Sequence, residues 1–228
     1  MGIAARVVAD AVLRWREPAV RAVSRMIPGD VLCFVDTDTR AVALTFDDGP
    51  HRQITPQLLD VLAEHRARAT FFLIGERILG NEPIVARIAA EGHEIANHLM
   101  REERSVLLSD LQFQRELAEV NALLAPHGKV RWFRPGSGWF SPRMLSAAAR
   151  QDLRIVLGTA VAMHTGGPRD AGIGGRLLVG IRPGSIAVLH EGTDERHGVV
   201  ATTDEVLAGL GRRGLAAVTV SELVALRR

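Results

Sequence analysis

The stretch Ala41-Val42-Ala43-Leu44-Thr45-Phe46-Asp47-Asp48-Gly49-Pro50 decides the fold. Its first six residues form a short apolar run of strand character, and the run breaks at a Gly-Pro turn directly after two adjacent carboxylates. Outward from it the same alternation continues. Strands are predicted at 41–46, 69–74, 93–97, 130–133, 154–157, 185–189 and 216–220, and amphipathic helices at 57–65, 83–91, 109–124, 142–151, 203–212 and 221–226. Strands alternating with helices point to βα units around a parallel sheet, so the fold class is α/β, a parallel (β/α) barrel of seven strands. In such a barrel the C-terminal strand ends converge on one face. Asp47 and Asp48, His98, Arg134 and His190 each follow a predicted strand, so residues far apart in sequence share one site.

Composition narrows the function. The 228 residues carry 28 basic and 26 acidic side chains in no stripe or block, which excludes nucleic acid as the expected partner. Cys33 is the only cysteine, so no internal disulfide or thiolate zinc cluster is available and a metal must be held by imidazoles and carboxylates. No uncharged apolar run reaches the roughly 20 residues of a bilayer span, and Arg6, Asp10 and Arg14 interrupt any signal-peptide core. The chain as written reads as cytoplasmic. Residues 1–30 place Ile3, Val7, Val8, Ala11, Val12 and Trp15 at helical spacing before Pro18. They are read as an amphipathic helical extension that packs on the domain, on a second copy, or on a membrane surface. Residues 31–228 are expected to form a single domain.

Two carboxylates as close as Asp47 and Asp48 repel, so a cation or an arginine partner is implied. A turn before Gly-Pro accounts for one Asp well and for two poorly. Downstream, Gly92-His93-Glu94-Ile95-Ala96-Asn97-His98 is followed by Glu102. If the chain turns helical after the strand, His98 and Glu102 lie on one face. With Asp48 they make a set of two carboxylates and one imidazole suited to a single divalent ion, zinc first, with Fe, Mn, Co and Ni also compatible. His93 falls out of register with His98 and is read as structural.

These motifs are recognisable together. Thr45-Phe46-Asp47-Asp48-Gly49-Pro50, the segment 92–98, Trp132-Phe133-Arg134-Pro135-Gly136-Ser137-Gly138 and Gly184-Ser185-Ile186-Ala187-Val188-Leu189-His190 resemble, in order, four motifs of the polysaccharide deacetylase family, the NodB-homology domain or carbohydrate esterase family 4. The resemblance implies a distorted barrel and a metal-dependent hydrolase that removes an N-acetyl or other small acyl group from an amino sugar or oligosaccharide. It implies that Asp47 is the general base, Asp48 and His98 metal ligands, and His190 the general acid. Arg134 would pair with Asp47, and the backbone N–H of Ser137 would help hold the oxyanion. Metal-activated water and an imidazole donor to a leaving amine are chemically coherent on their own terms.

The chain departs from the family's pattern in three places. Glu102 stands where a second metal-binding His is usual. Gly136 and Ser137 replace a proline and an aromatic of the third motif, with Trp139 available to rebuild the groove wall. The fourth motif, usually rich in Asp, reads Gly158-Thr159-Ala160-Val161-Ala162-Met163-His164-Thr165, leaving His164 or Asp170 as substitute partners for His190. Leu189 and Trp139 are candidates to line an acyl-sized pocket. His51 and Glu191 neighbour the site and are read as supporting groups. Ser105, Ser141 and Cys33 lack the context of a nucleophile. Two other readings share these residues: hydrolysis of a non-sugar amide or cyclic imide, and a glycan-binding relative impaired in turnover.

Overall fold

The computed structural model describes residues 31–167 and 170–228, so the predicted extension at 1–30 lies outside the described residues. Among these are nine strands: β1 (Val31–Leu32), β2 (Ala41–Gly49), β3 (Thr70–Leu73), β4 (Glu94–Asn97), β5 (Trp132–Phe133), β6 (Arg154–Val156), β7 (Ala160–Val161), β8 (Ile186–His190) and β9 (Ala216–Val218). The helices are α1 (Ile54–Glu64), α2 (Gly75–Ile78), α3 (Glu82–Ala90), α4 (Asp110–Leu124), α5 (Pro142–Ala149), α6 (Ile173–Gly180), α7 (Val199–Arg212) and α8 (Val220–Ala225). All seven predicted strands are present. The two additional ones, β1 and β7, are two residues long and are defined by distant hydrogen-bond partners.

The strands pair in parallel in the order β1-β6-β5-β4-β3-β2-β8-β7. On one side of β2 the first half meets β9 and the second half meets β3. Closure comes from a single stretch of chain. β6 pairs with β5 and β1, and after Leu157-Gly158-Thr159 the same chain continues as β7 against β8, joining the two ends of the sheet. The segment after β1 fills the gap, with an antiparallel bridge between Phe34 and Ser185 and a 2.9 Å bond from Val35 N–H to Gly184 O. The result is a distorted barrel, as expected.

Period-two alternation sorts the core into two layers. Ala41 and Ala43 face inward with Phe72, Ala96, Val156 and Ile186. Val42, Leu44 and Phe46 face outward against Leu58, Leu59 and Leu62 of α1 and Val206, Leu207 and Leu210 of α7. The Phe46 and Phe71 rings stack with centroids 5.0 Å apart. Val220 and Leu223 of α8 enter the inner cluster, and Val220 N–H donates to Thr70 Oγ1 at the start of β3. That helix stoppers the N-terminal end of the barrel, with Thr219 and Glu222 forming its capping box. The open end is therefore the C-terminal one. His93 is buried, accepts from Ala69 N–H at 3.3 Å and meets Phe71 edge-on, and burial lowers its pKa to about 4, so its role is structural.

The seam at 157–159 leaves no room for a side chain at Gly158, where a Cβ would lie 2.2 Å from Val188 Cγ2 and 3.1 Å from Ile186 O. Gly158→Val is expected to cost about 1–3 kcal/mol through overpacking and backbone shift. Urea denaturation checks this, and an unchanged midpoint would show that the seam yields freely.

Candidate active site

Alternation along β2 puts Asp47 on the inner face with Ala41, Ala43 and Thr45, and would send Asp48 outward with Phe46. It does not. The register against β3 shifts between Asp47, opposite Phe72, and Gly49, opposite Leu73, and Asp48 adopts φ 68°. This is a bulge: one extra residue in the left-handed region re-aims the second carboxylate. Left-handed backbone costs an L-residue about 1–2 kcal/mol, and Asp is among the side chains that tolerate it best. Both carboxylates consequently line one cleft of about 520 Å³ at the C-terminal strand ends.

Arg134, directly after β5, is buried and serves Asp47. Its Nη1 donates to Asp47 Oδ1 at 2.5 Å and to Thr45 Oγ1 at 2.8 Å, and its Nε to Val156 O at 3.2 Å. The guanidinium lies over the Phe72 ring at 3.9 Å, while Nη2 is buried with no partner among the described residues. Burial pulls the Arg134 pKa down, against the opposing charge of Asp47. His190 ends β8, with Nδ1 2.9 Å from Ala162 O and Nε2 3.8 Å from Asp47 Oδ2.

Asp48 Oδ1 lies 3.1 Å from His98 Nε2, and His98 Nδ1 lies 2.7 Å from Arg134 O. Burial acts to raise the Asp48 carboxyl, but the bond and charge of His98, with His190 and Arg196, outweigh it and hold the group well below the usual carboxylate range. For His98 burial works downward, and the Asp48 bond with the charges of Asp47 and Asp48 leaves its pKa raised. With Nδ1–H given to a backbone carbonyl, Nε2 is the nitrogen turned to Asp48, the orientation that a metal-ligating His takes from its outer partner. The 3.1 Å gap suits two neighbouring ligands of one small cation.

Glu102 is placed elsewhere. The chain after His98 does not turn helical: Leu99 takes φ 63° and residues 100–103 run as bends, which removes the premise of a shared helical face. Glu102 Oε2 binds Arg77 Nη2 at 2.7 Å and Glu102 Oε1 binds Arg196 Nη2 at 2.6 Å, while Arg196 Nη1 reaches Asp48 Oδ2 at 2.6 Å. Among the described residues no cluster of three His, Cys, Asp or Glu is disposed to hold a metal. Asp48 and His98 come together as expected; Glu102 does not join them.

Leu189 also requires correction. It neighbours His190 in a regular strand and so faces the opposite side, fully buried in the outer layer, and it is Val188 that lines the cleft. Trp139 and Ser137 do line it, Ser137 with φ 61°. Neither proposed substitute for the fourth-motif carboxylate reaches His190. His164 Nε2 is 2.8 Å from Thr202 Oγ1, and Asp170 accepts from the N–H groups of Thr165 and Gly166. Ala162 O takes that place. Sequence reasoning missed this partner because a backbone carbonyl has no residue signature, and it missed Arg77 and Arg196 because neither belongs to the quoted motifs.

Glu191 turns away from the cleft. Its Oε2 accepts from Thr55 Oγ1 at 2.5 Å, and Oε1 is buried without a partner. His51 sits nearby, its Nε2 3.3 Å from Asp194 Oδ1.

Residues 34–156 match the family model described as polysaccharide deacetylase. A chitooligosaccharide deacetylase of Sinorhizobium fredii is 36% identical over 182 residues, 77% of this chain and 85% of that protein. Among solved structures, a peptidoglycan N-acetylglucosamine deacetylase in complex with 4-naphthalen-1-yl-N-oxidanyl-benzamide superimposes with a TM-score of 0.80 at 28% identity, over 88% of this chain and 96% of that one. A family 4 acetyl xylan esterase from Clostridium thermocellum, in complex with a cobalt ion, gives 0.75 at 31% identity, over 82% and 91%.

Burial pushes the Glu191 carboxyl up to about 8 from an ordinary 4.5, helped by the charge of Asp48 and opposed by the Thr55 bond. Between those two values the folded protein keeps a proton that the unfolded chain releases, so this group's stabilising contribution is complete below about 4.5 and disappears as pH rises through about 8. Urea midpoints should therefore fall across that window in the wild type and fall less in Glu191→Gln. Parallel curves for the two proteins would rule out a buried neutral acid.

Proposed function

Because the chain belongs to the polysaccharide deacetylase family, we propose that it hydrolyses the N-acetyl, or another small N-acyl, group of an amino sugar within an oligosaccharide. The observation that carries this reading is the convergence of Asp47, Arg134 and His190 on the cleft that the Asp48–His98 pair also lines. The names of the relatives support N-acetylglucosamine oligomers, of the chitooligosaccharide or peptidoglycan type, as the substrate class. Leu157, Val161 and Val188 give the cleft an apolar wall suited to an acetyl methyl, and Trp139 offers a ring face to a sugar.

Asp48 and His98 are the residues that would hold a divalent cation, zinc or one of Fe, Mn, Co and Ni; the cobalt in the acetyl xylan esterase supports that class. Such a cation supplies Lewis acidity, lowering the pKa of a water and polarising the acyl carbonyl. Asp47, held in place by Arg134, accepts the proton of the attacking water as its oxygen bonds to the acyl carbon. Negative charge then builds on the former carbonyl oxygen, for which the backbone N–H of Ser137 is the candidate donor. His190, oriented through Nδ1 by Ala162 O, presents Nε2 to the amide nitrogen and donates a proton as the C–N bond breaks. The products are a carboxylate and a free amine.

Acetate release from acetylated chitooligosaccharides and from peptidoglycan fragments tests the reading. Asp47→Asn and His190→Ala should each lose roughly 10²-fold or more in rate with the metal-loaded protein. Turnover close to wild type in His190→Ala would transfer the acid role to another group, and no acetate from either glycan class would refute the substrate assignment.

A further inference from the structure

A four-membered charge ring sits beside the proposed catalytic residues. Each oxygen of Glu102 binds a different guanidinium, Oε1 to Arg196 and Oε2 to Arg77, and Asp48 divides its oxygens between His98 and Arg196. Arg77 also donates through Nη1 to Asp48 O at 2.5 Å, and Arg196 through Nη1 to Glu191 O at 2.8 Å. The two arginines are thus tied to the backbone as well as to the acids. Two carboxylates and two guanidiniums sum to zero charge with no metal ion.

Four features show that the chain is built around this ring. Gly192, at φ 94°, is placed so that a Cβ would lie 2.3 Å from both Arg77 Nη1 and Asp48 O, so a side chain there would displace the guanidinium. Gly136 lets the Glu102 loop settle, since a Cβ would fall 2.0 Å from Glu103 O. The same loop is pinned by the 2.9 Å bond from Gly136 N–H to Ser105 Oγ. The Arg196 side chain is only 12% exposed, so the contact is not a loose surface pair.

Resting on the deacylase reading above, we propose that Arg77 and Arg196 form a guanidinium clamp that holds Glu102 off the metal position. The cation site is left with two protein ligands, Asp48 and His98. A third carboxylate is present but withheld, and Arg196 shares Asp48 with any incoming cation. Like charges then meet across one carboxylate in a poorly solvated cleft, which weakens the cation's hold. Arg196 and Arg77 are positioning residues: they act on the metal through Glu102 and Asp48.

Metal-stripped full-length protein is titrated with Zn(II) by calorimetry against a competing chelator, with thermal melts confirming that each variant is folded. Glu102→Ala should bind within about twofold of the wild type, while Arg196→Gln should bind about tenfold more tightly, the scale on which outer partners tune a metal site. Most of that gain should vanish in Arg196→Gln/Glu102→Ala. Arg77→Gln gives a second release of Glu102, with a gain in the same direction. A tenfold loss in Glu102→Ala alone would make Glu102 an existing ligand and overturn the clamp while leaving the deacylase reading intact. A gain undiminished by removing Glu102, or no gain in either arginine variant, would also overturn it. Zinc binding by none of these proteins would refute both the clamp and the metal-dependent reading.

Discussion

The site depends on one backbone event, the bulge at Asp48. In an unbroken strand two consecutive side chains point to opposite faces, so adjacent aspartates cannot serve a single cleft. A register shift between Asp47 and Gly49, with Asp48 in the left-handed region, lets Asp47 stay in the barrel's inner file while Asp48 returns to the same rim. Arg134 can then hold one carboxylate while His98 and Arg196 divide the other. A local cost of about 1–2 kcal/mol is small against the repulsion that two unpaired buried carboxylates would otherwise suffer.

Burial makes the pairing compulsory. Asp47, Asp48, His98, Arg134 and Glu191 are all buried, and each charged group among them needs a specific partner because water cannot supply one. Asp47 is met by Arg134, the Asp48–His98 pair by its own contact and by Arg196. Glu191, whose side chain faces Thr55 and no cation directly, avoids the cost by holding its proton. The cleft and the packed layer behind it therefore drive carboxyl groups in opposite directions, down for Asp48 on the cleft and up for Glu191 behind it.

Much of this was legible in the sequence because it is written in local patterns. The strand at 41–46, the two carboxylates beyond it and the reactive residues at later strand ends follow from periodicity and turn chemistry, and all seven predicted strands are found. What was not legible was non-local or carried by backbone. β1 and β7 are too short to leave a periodic signal and exist through their pairing with β6 and β8. Leu189 is a pocket candidate by its apolar side chain, although strand alternation forbids it from sharing a face with His190. Glu102 was assigned by helical spacing that Leu99 interrupts, and its real partners lie 25 and 94 residues away.

Two of the departures from the family's motifs meet in space. A Cβ at Gly136 would strike the carbonyl of Glu103, so a proline there would push away the loop that carries Glu102. The change in the third motif thus makes room for the change in the second. Arg196 reaches into the same space from the segment after His190 and binds both acids. In the stretch that stands for the fourth motif, Ala162 O meets His190 Nδ1. Reading Glu102 as a simple exchange of one metal ligand for another overlooks the arginines and the glycines that accompany it.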